Sequence, residues 1–277
     1  MFEKILLPID FSQQSIMMLD CVAELRQFGA ETVIILHVLP PKGQLSENQK
    51  KTAEELVNKL RERGFEVMFK AVHGNPIDEI LSIAEKEEVT LIVMASSGKG
   101  RAQEFFVGST SFGVVRKTSK PILIDKFEVI ETDGSRKIKP ACTMLFRTAL
   151  VPIDFSRCTY TVIDILHHLA KRGLRKIVLF HVIESTKYSV SSDERFDEVK
   201  KRLEELEKDL ISAGFEVITH VHFGTPAYNI LEATREFDAS LIIIGASGKS
   251  FLKGLALGST SEEVIRKASV PLLVVRC

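Results

Sequence analysis

Short apolar, β-branched runs alternate with longer amphipathic stretches along the chain, a rhythm that predicts strand and helix in turn. In the first half, strands are expected over 4–9, 32–38, 66–71, 90–94 and 122–125, with helices over 12–28, 46–63, 76–86 and 109–117. The punctuation agrees with this reading. Ser12 suits an N-cap, Gly29 and Gly64 suit helix ends, and Pro76 suits a first helical turn. Continuous apolar strands separated by helices predict an α/β fold, because crossovers of one hand lay helices on both faces of a parallel sheet.

The pattern then repeats. Leu7-Pro8-Ile9-Asp10-Phe11-Ser12 returns as Val151-Pro152-Ile153-Asp154-Phe155-Ser156, and His37-Val38 as His181-Val182, both displaced by 144. Gly64-Phe65-Glu66-Val67 returns as Gly214-Phe215-Glu216-Val217 and Pro121 as Pro271, displaced by 150. Two copies of one domain explain the matches, with six residues inserted in the second copy between His181 and Gly214, in the loop 184–193. Beyond that loop Phe196, Val199, Leu203, Leu206 and Leu210 form an amphipathic stripe under three heptads long. It suits a helix packed on the sheet better than a coiled coil. The domains are expected over 1–127 and 144–277, joined by a linker over 128–143 that holds the polar stretch around Gly134 and Pro140.

One stretch carries candidate chemistry. The apolar run Leu241-Ile242-Ile243-Ile244 stops at Gly245; Gly248 follows, and after the nine residues Lys249 to Leu257, Gly258-Ser259-Thr260-Ser261 opens an amphipathic run. Glycines admit backbone amides to an anion, and a helix start adds unpaired donors. An ordinary strand-to-helix loop has the same punctuation. A P-loop would need glycine five positions before Gly248, where Ile243 stands, and the dinucleotide fingerprint begun by Gly98-Lys99-Gly100 fails at Gln103. The spacing Gly-x2-Gly-x9-Gly-Ser resembles that of nucleotide-binding universal stress proteins. The first copy has it as Ala95-Ser96-Ser97-Gly98 and Gly108-Ser109-Thr110-Ser111, with Ala95 replacing the first glycine.

The resemblance implies two tandem Rossmann-like domains of the adenine nucleotide alpha hydrolase type, each a five-stranded parallel sheet of order 3-2-1-4-5. The switch point then lies between the first and fourth strands, where ligands bind in open α/β sheets. It implies binding of ATP, ADP or AMP, with Mg2+ accompanying a triphosphate. Asp10 and Asp154 would meet adenine and ribose, Val38 and Val182 would line the adenine pocket, and Gly98, Gly108, Ser109, Gly248, Gly258 and Ser259 would contact phosphate, with Ala95 and Gly245 opening the two loops. Thr110 and Thr260 would add donors, and Lys99 and Lys249 positive charge or merely solvated loop lysines. From the residues alone, Asp10 and Asp154 read equally as turn aspartates, and both valines as core. Ala95 in place of glycine would cost about 1–2 kcal/mol if the position needs a positive φ, so the second copy is expected to bind more tightly. Family members pair through the fifth strand, which implies an internal pseudodimer with 122–124 near 272–275, and a homodimer.

Composition narrows the alternatives. With 37 basic and 37 acidic residues the formal charge is zero, which argues against bulk electrostatic attachment to nucleic acid or acidic membranes. No apolar run matches a signal peptide or a membrane span. Cys21, Cys142, Cys158 and Cys277 show no Cys-x2-Cys spacing, so neither zinc nor a disulfide framework is expected, and reduced thiols in the cytoplasm are the simpler reading. His220 and His222 share a strand face without a third ligand nearby, and no nucleophile stands with an evident base. The expected role is regulatory, in the stress response. A slow ATPase or autophosphorylating protein, and a scaffold that binds no nucleotide, are the alternatives.

Overall fold

The computed structural model describes residues 2–96, 107–132, 135–142, 145–184, 192–246 and 257–277. The chain divides into two compact units, Met1–Thr143 and Met144–Cys277. In the first, β1 (Lys4–Pro8), α1 (Gln13–Glu24), β2 (Thr32–Leu39), α2 (Glu47–Glu62), β3 (Glu66–His73), α3 (Pro76–Lys86), β4 (Leu91–Ala95), α4 (Ser109–Lys117) and β5 (Ile122–Asp125) follow in order. The strands align in the order β3-β2-β1-β4-β5, all parallel. Ile5, Leu6 and Leu7 of β1 and Leu91, Ile92 and Val93 of β4 are inaccessible to solvent, as expected where helices cover both faces. The helix read over 12–28 ends earlier, at Glu24, and a 3-10 turn (Leu25–Phe28) carries the chain to Gly29 at φ 92.

A difference from expectation follows β5. The stretch read as linker contains β6 (Phe127–Thr132) and β7 (Ser135–Pro140), paired antiparallel with Thr132 opposite Ser135. Asp133-Gly134 between them is the dipeptide that favours a two-residue hairpin connection. The hairpin signal was therefore present but masked by the polar composition.

The second unit repeats the frame with β8 (Thr148–Pro152), α5 (Arg157–Ala170), β9 (Lys176–Ile183), α6 (Ser192–Ser212), β10 (Glu216–Phe223), α7 (Pro226–Glu236), β11 (Leu241–Gly245), α8 (Ser259–Lys267) and β12 (Leu272–Val275). Its strand order is β10-β9-β8-β11-β12. On α6, Val199, Leu203 and Leu210 are buried, as the stripe predicts for a packed helix. Most of the inserted loop, 185–191, lies outside the described residues.

The expectation of free thiols is overturned. Cys21 bonds to Cys142 and Cys158 to Cys277, with Cα atoms 5.5 and 5.3 Å apart. The partners are 121 and 119 residues apart in sequence, so local spacing carries no trace of them. Each bond ties the first helix of its unit to the segment that follows the fifth strand. The cytoplasmic reading loses the support it drew from reduced thiols. Among the described residues no helix is long and apolar enough to cross a membrane.

Candidate functional site

The switch point in each unit lies between the first and fourth strands, and the register there is the same: Leu6 stands beside Ile92 and Leu150 beside Ile242. Just past β1 the chain turns sharply. Phe11 takes φ 59 and Phe155 φ 57, left-handed conformations that a bulky residue adopts at a cost of about 1–2 kcal/mol. The turn swings the preceding aspartate back over the helix start. Asp10 Oδ1 accepts from the Ser12 amide at 2.9 Å, and Asp154 Oδ1 accepts from the Ser156 amide at 2.9 Å and the Thr159 hydroxyl at 3.1 Å. Both aspartates thus fill the turn role. Asp154 is nevertheless solvent-exposed and Asp10 half-buried, at the carboxyl edge of the sheet.

The strained phenylalanines are held by neighbours that repeat with them. Phe11 packs on His37 with ring centroids 4.7 Å apart, and Phe155 on His181 at 5.0 Å, while the Arg202 guanidinium lies 4.0 Å from the Phe155 ring centre. The Nδ1 atoms of His37 and His181 lie 2.8 and 2.7 Å from the carbonyls of Ile9 and Ile153. Burial lowers the pKa of His181, Arg195 and Arg202 add to the effect, and the Ile153 carbonyl and Asp154 oppose it. A neutral ring with Nδ1–H donating to Ile153 is the state this favours. Sequence reading used these Phe and His residues only as markers of the repeat. Their return at one displacement was the available signal that they act together.

At the other side of the switch point, α4 and α8 start at Gly108 and Gly258, with no side-chain cap on either. The first intrahelical bonds run from Phe112 N to Gly108 O and from Glu262 N to Gly258 O, so the earlier amides of each first turn point out of the helix as donors. Ser109 and Ser259 are exposed there, and Thr110 and Thr260 half-buried. The third hydroxyl has a different task, missed in sequence. Ser111 donates to the Ala95 carbonyl and Ser261 to the Gly245 carbonyl, each at 2.8 Å, closing the base of each loop. Gly98, Lys99, Gly248 and Lys249 lie outside the described residues. Val38 and Val182 sit half-buried near the ends of β2 and β9 rather than sealed in the core.

The rationale for glycine at Gly245 is corrected. Neither Gly245 nor Ala95 is among the positive-φ residues, so backbone strain does not separate the two loops. Instead, a Cβ on Gly245 would lie 2.6 Å from Cys158 Sγ and 3.0 Å from its Cβ. Cys158 occupies the first turn of α5, where the first copy has Gln14. Arg276, partly buried, donates to the Ala246 carbonyl at 3.1 Å and holds the same corner.

The remaining histidines have neighbours of their own. His220 and His222 stack with Phe180, at ring-centroid distances of 5.4 and 6.4 Å. His167 lies 2.8 Å from Asp209 and His168 Nδ1 2.8 Å from its own helix's Asp164 carbonyl.

The fold is a duplicated, doubly wound α/β architecture in which each unit carries an aspartate turn after its first strand and, after its fourth, a helix start without a side-chain cap. The universal stress protein family model matches residues 1–126 and again 145–276, so the chain belongs to that family. A universal stress protein of Methanocaldococcus jannaschii is 32% identical over 155 residues, 46% of this chain and 96% of the relative. One from Bacillus subtilis is 32% identical over 148 residues, 48% of this chain and all of the relative. The crystal structure of a universal stress protein from Archaeoglobus fulgidus superposes with a TM-score of 0.74 at 25% identity, covering 99% of this chain and 98% of that one.

Proposed function

We propose that each unit binds an adenine nucleotide, ATP, ADP or AMP, and that the protein acts as a nucleotide-responsive regulator in the stress response. The observation that carries the reading is the first turn of α8. Its outward amides at Ser259 and Thr260 follow a glycine cap and stand on a loop base fastened by Ser261 to Gly245, at the switch point that also holds Asp154. Such donors suit phosphate oxygens, and the helix dipole adds to the attraction. Asp154 Oδ1 is committed to its turn, which leaves Oδ2 to accept from a ribose hydroxyl or base amine. Val182, half-buried, offers apolar surface to a base, and Gly248 is proposed as a further phosphate contact. Asp10, Val38, Ala95, Gly98, Gly108, Ser109 and Thr110 are proposed for the same roles in the first unit. Mg2+ accompanies a bound triphosphate in this proposal.

The test is calorimetric titration of the full chain with ATP and Mg2+. Two equivalents are expected for the native chain and one for either Gly108→Val or Gly258→Val, because a branched side chain at the cap crowds the donors. A native chain that binds none overturns the reading. Association into a homodimer belongs to the same proposal, and sedimentation across a concentration series decides it.

A further inference from the structure

The two disulfides have unlike surroundings. Around Cys158–Cys277 the polar neighbours of the sulfurs are backbone carbonyls, of Val275 and Cys158, and Cys277 is exposed. Cys21–Cys142 is sealed, at 0% and 1% exposure, and shares its site with the carboxyl group of Asp125, itself 0% exposed. Asp125 Oδ2 lies 3.3 Å from Cys21 Sγ, and Oδ1 is buried with no hydrogen-bond partner. The two sulfurs and an Asp125 carboxylate oxygen all lie within 4.8 Å of one another.

A carboxyl group at this place is costly and not required by the fold. The second unit shows as much. Asp125 pairs in register with Ala95, and its counterpart beside Gly245 is Val275; the counterpart of Cys21 is Ile165. The same frame is thus built with two apolar side chains where the first unit has an acid and a sulfur. Burial pushes Asp125 up to about 8, against the Lys126 amide and charge and the amides of Cys142 and Ala141, which favour the ionised form. Lys126, also buried, is itself pushed down to about 8. Burial thus favours the protonated form of the Asp125 carboxyl, which lies 3.3 Å from Cys21 Sγ.

We propose that Cys21, Cys142 and Asp125 form a thiol–disulfide redox site, in which Asp125 gives a proton to Cys21 when the bond opens and takes it back when the bond closes. The reagent is a small dithiol in one direction and a small disulfide in the other; with all three side chains buried, it reaches Cys142 Sγ through a local opening, which a small reagent needs least. In the reducing direction a dithiol, after losing one proton to solvent, attacks Cys142 Sγ as the thiolate. The Cys21–Cys142 bond breaks, a mixed disulfide forms on Cys142, and the electron pair departs on Cys21 Sγ, which takes the Asp125 proton. The second thiol, losing its proton to solvent, then displaces Cys142. The reagent leaves as a cyclic disulfide, and solvent protons restore the Cys142 thiol and Asp125. Protonation makes Cys21 the better leaving group, which sets the direction of attack.

The chain contains its own control. Oxidised full-length protein is treated with dithiothreitol from pH 6 to 9, quenched, alkylated, and the opening of each disulfide followed by peptide mass spectrometry. The ratio of the Cys21–Cys142 rate to the Cys158–Cys277 rate cancels the thiolate fraction of the reagent. In the native chain this ratio is expected to fall by up to about tenfold between pH 6 and 9, in keeping with loss of a general acid. In Asp125→Asn it should start at least about tenfold lower at pH 6.5 and stay flat. A native ratio constant within about twofold overturns the proposal, and this profile decides the matter alone if the variant does not fold. Equal ratios in the two proteins overturn it too. So does stoichiometric Zn2+ uptake by the reduced native chain that Asp125→Asn abolishes, because Asp125 would then be a metal ligand.

Discussion

Phe155 shows how a single residue stores strain at a candidate site. Its φ of 57 would suit glycine, yet its ring lies between His181 and Arg202. Removing the ring while keeping a Cβ forfeits the packing and retains the strain; removing the Cβ as well relieves the strain. Phe155→Gly is therefore expected to be more stable than Phe155→Ala by about 1 kcal/mol, against the usual order of these residues. Urea titration of the two variants checks this. At Gly245 the opposite holds, because the space is taken by Cys158 rather than the backbone being strained. Gly245→Ala is expected to cost about 1–3 kcal/mol, as overpacking does, and Ala95→Gly far less in the first unit; thermal unfolding compares them. His181 brings a pH dependence. Its folded pKa is depressed below its unfolded value, so between the two values the unfolded chain binds more protons and stability rises with pH. The contribution is complete above the unfolded value of about 6.5 and is lost as pH falls through the folded one. Urea midpoints between pH 5 and 8 should show this slope flattened in His181→Gln.

At the scale of elements, what was legible follows from where each signal resides. The strands and helices of the first unit were readable because apolar runs, caps and Pro76 are local features, and α3 and α4 span the residues expected. The switch point came from the strand order that the family resemblance implies, not from any local signal. The loop base was not legible, since nothing local distinguishes Ser261 from Ser259 until the fold places one hydroxyl under Gly245. Nor were the disulfides, whose partners meet only after the fifth strand is in place. Their loops of more than a hundred residues restrict the unfolded chain strongly. Loss of either bond, by Cys142→Ser or Cys277→Ser, is expected to cost about 2–4 kcal/mol, measured by chemical denaturation with and without reductant.

For the whole molecule, a formal charge of zero leaves recognition to local donors rather than to a general field. If the proposed nucleotide sites exist, duplication predicts two of comparable strength. With ordinary φ at both Ala95 and Gly245, the methyl group of Ala95 can weaken the first site only by crowding. The second is expected to be tighter by less than about tenfold, which is about 1.4 kcal/mol; titrations of full-length Gly108→Val and Gly258→Val report each site separately. The same duplication bears on Asp125. Because Val275 and Ile165 already hold the equivalent ground in the sister unit, the chain carries a natural experiment: Asp125→Val with Cys21→Ile would transplant a tested interior and leave Cys142 as a lone thiol, a molecule whose sulfur chemistry is silenced on one side only.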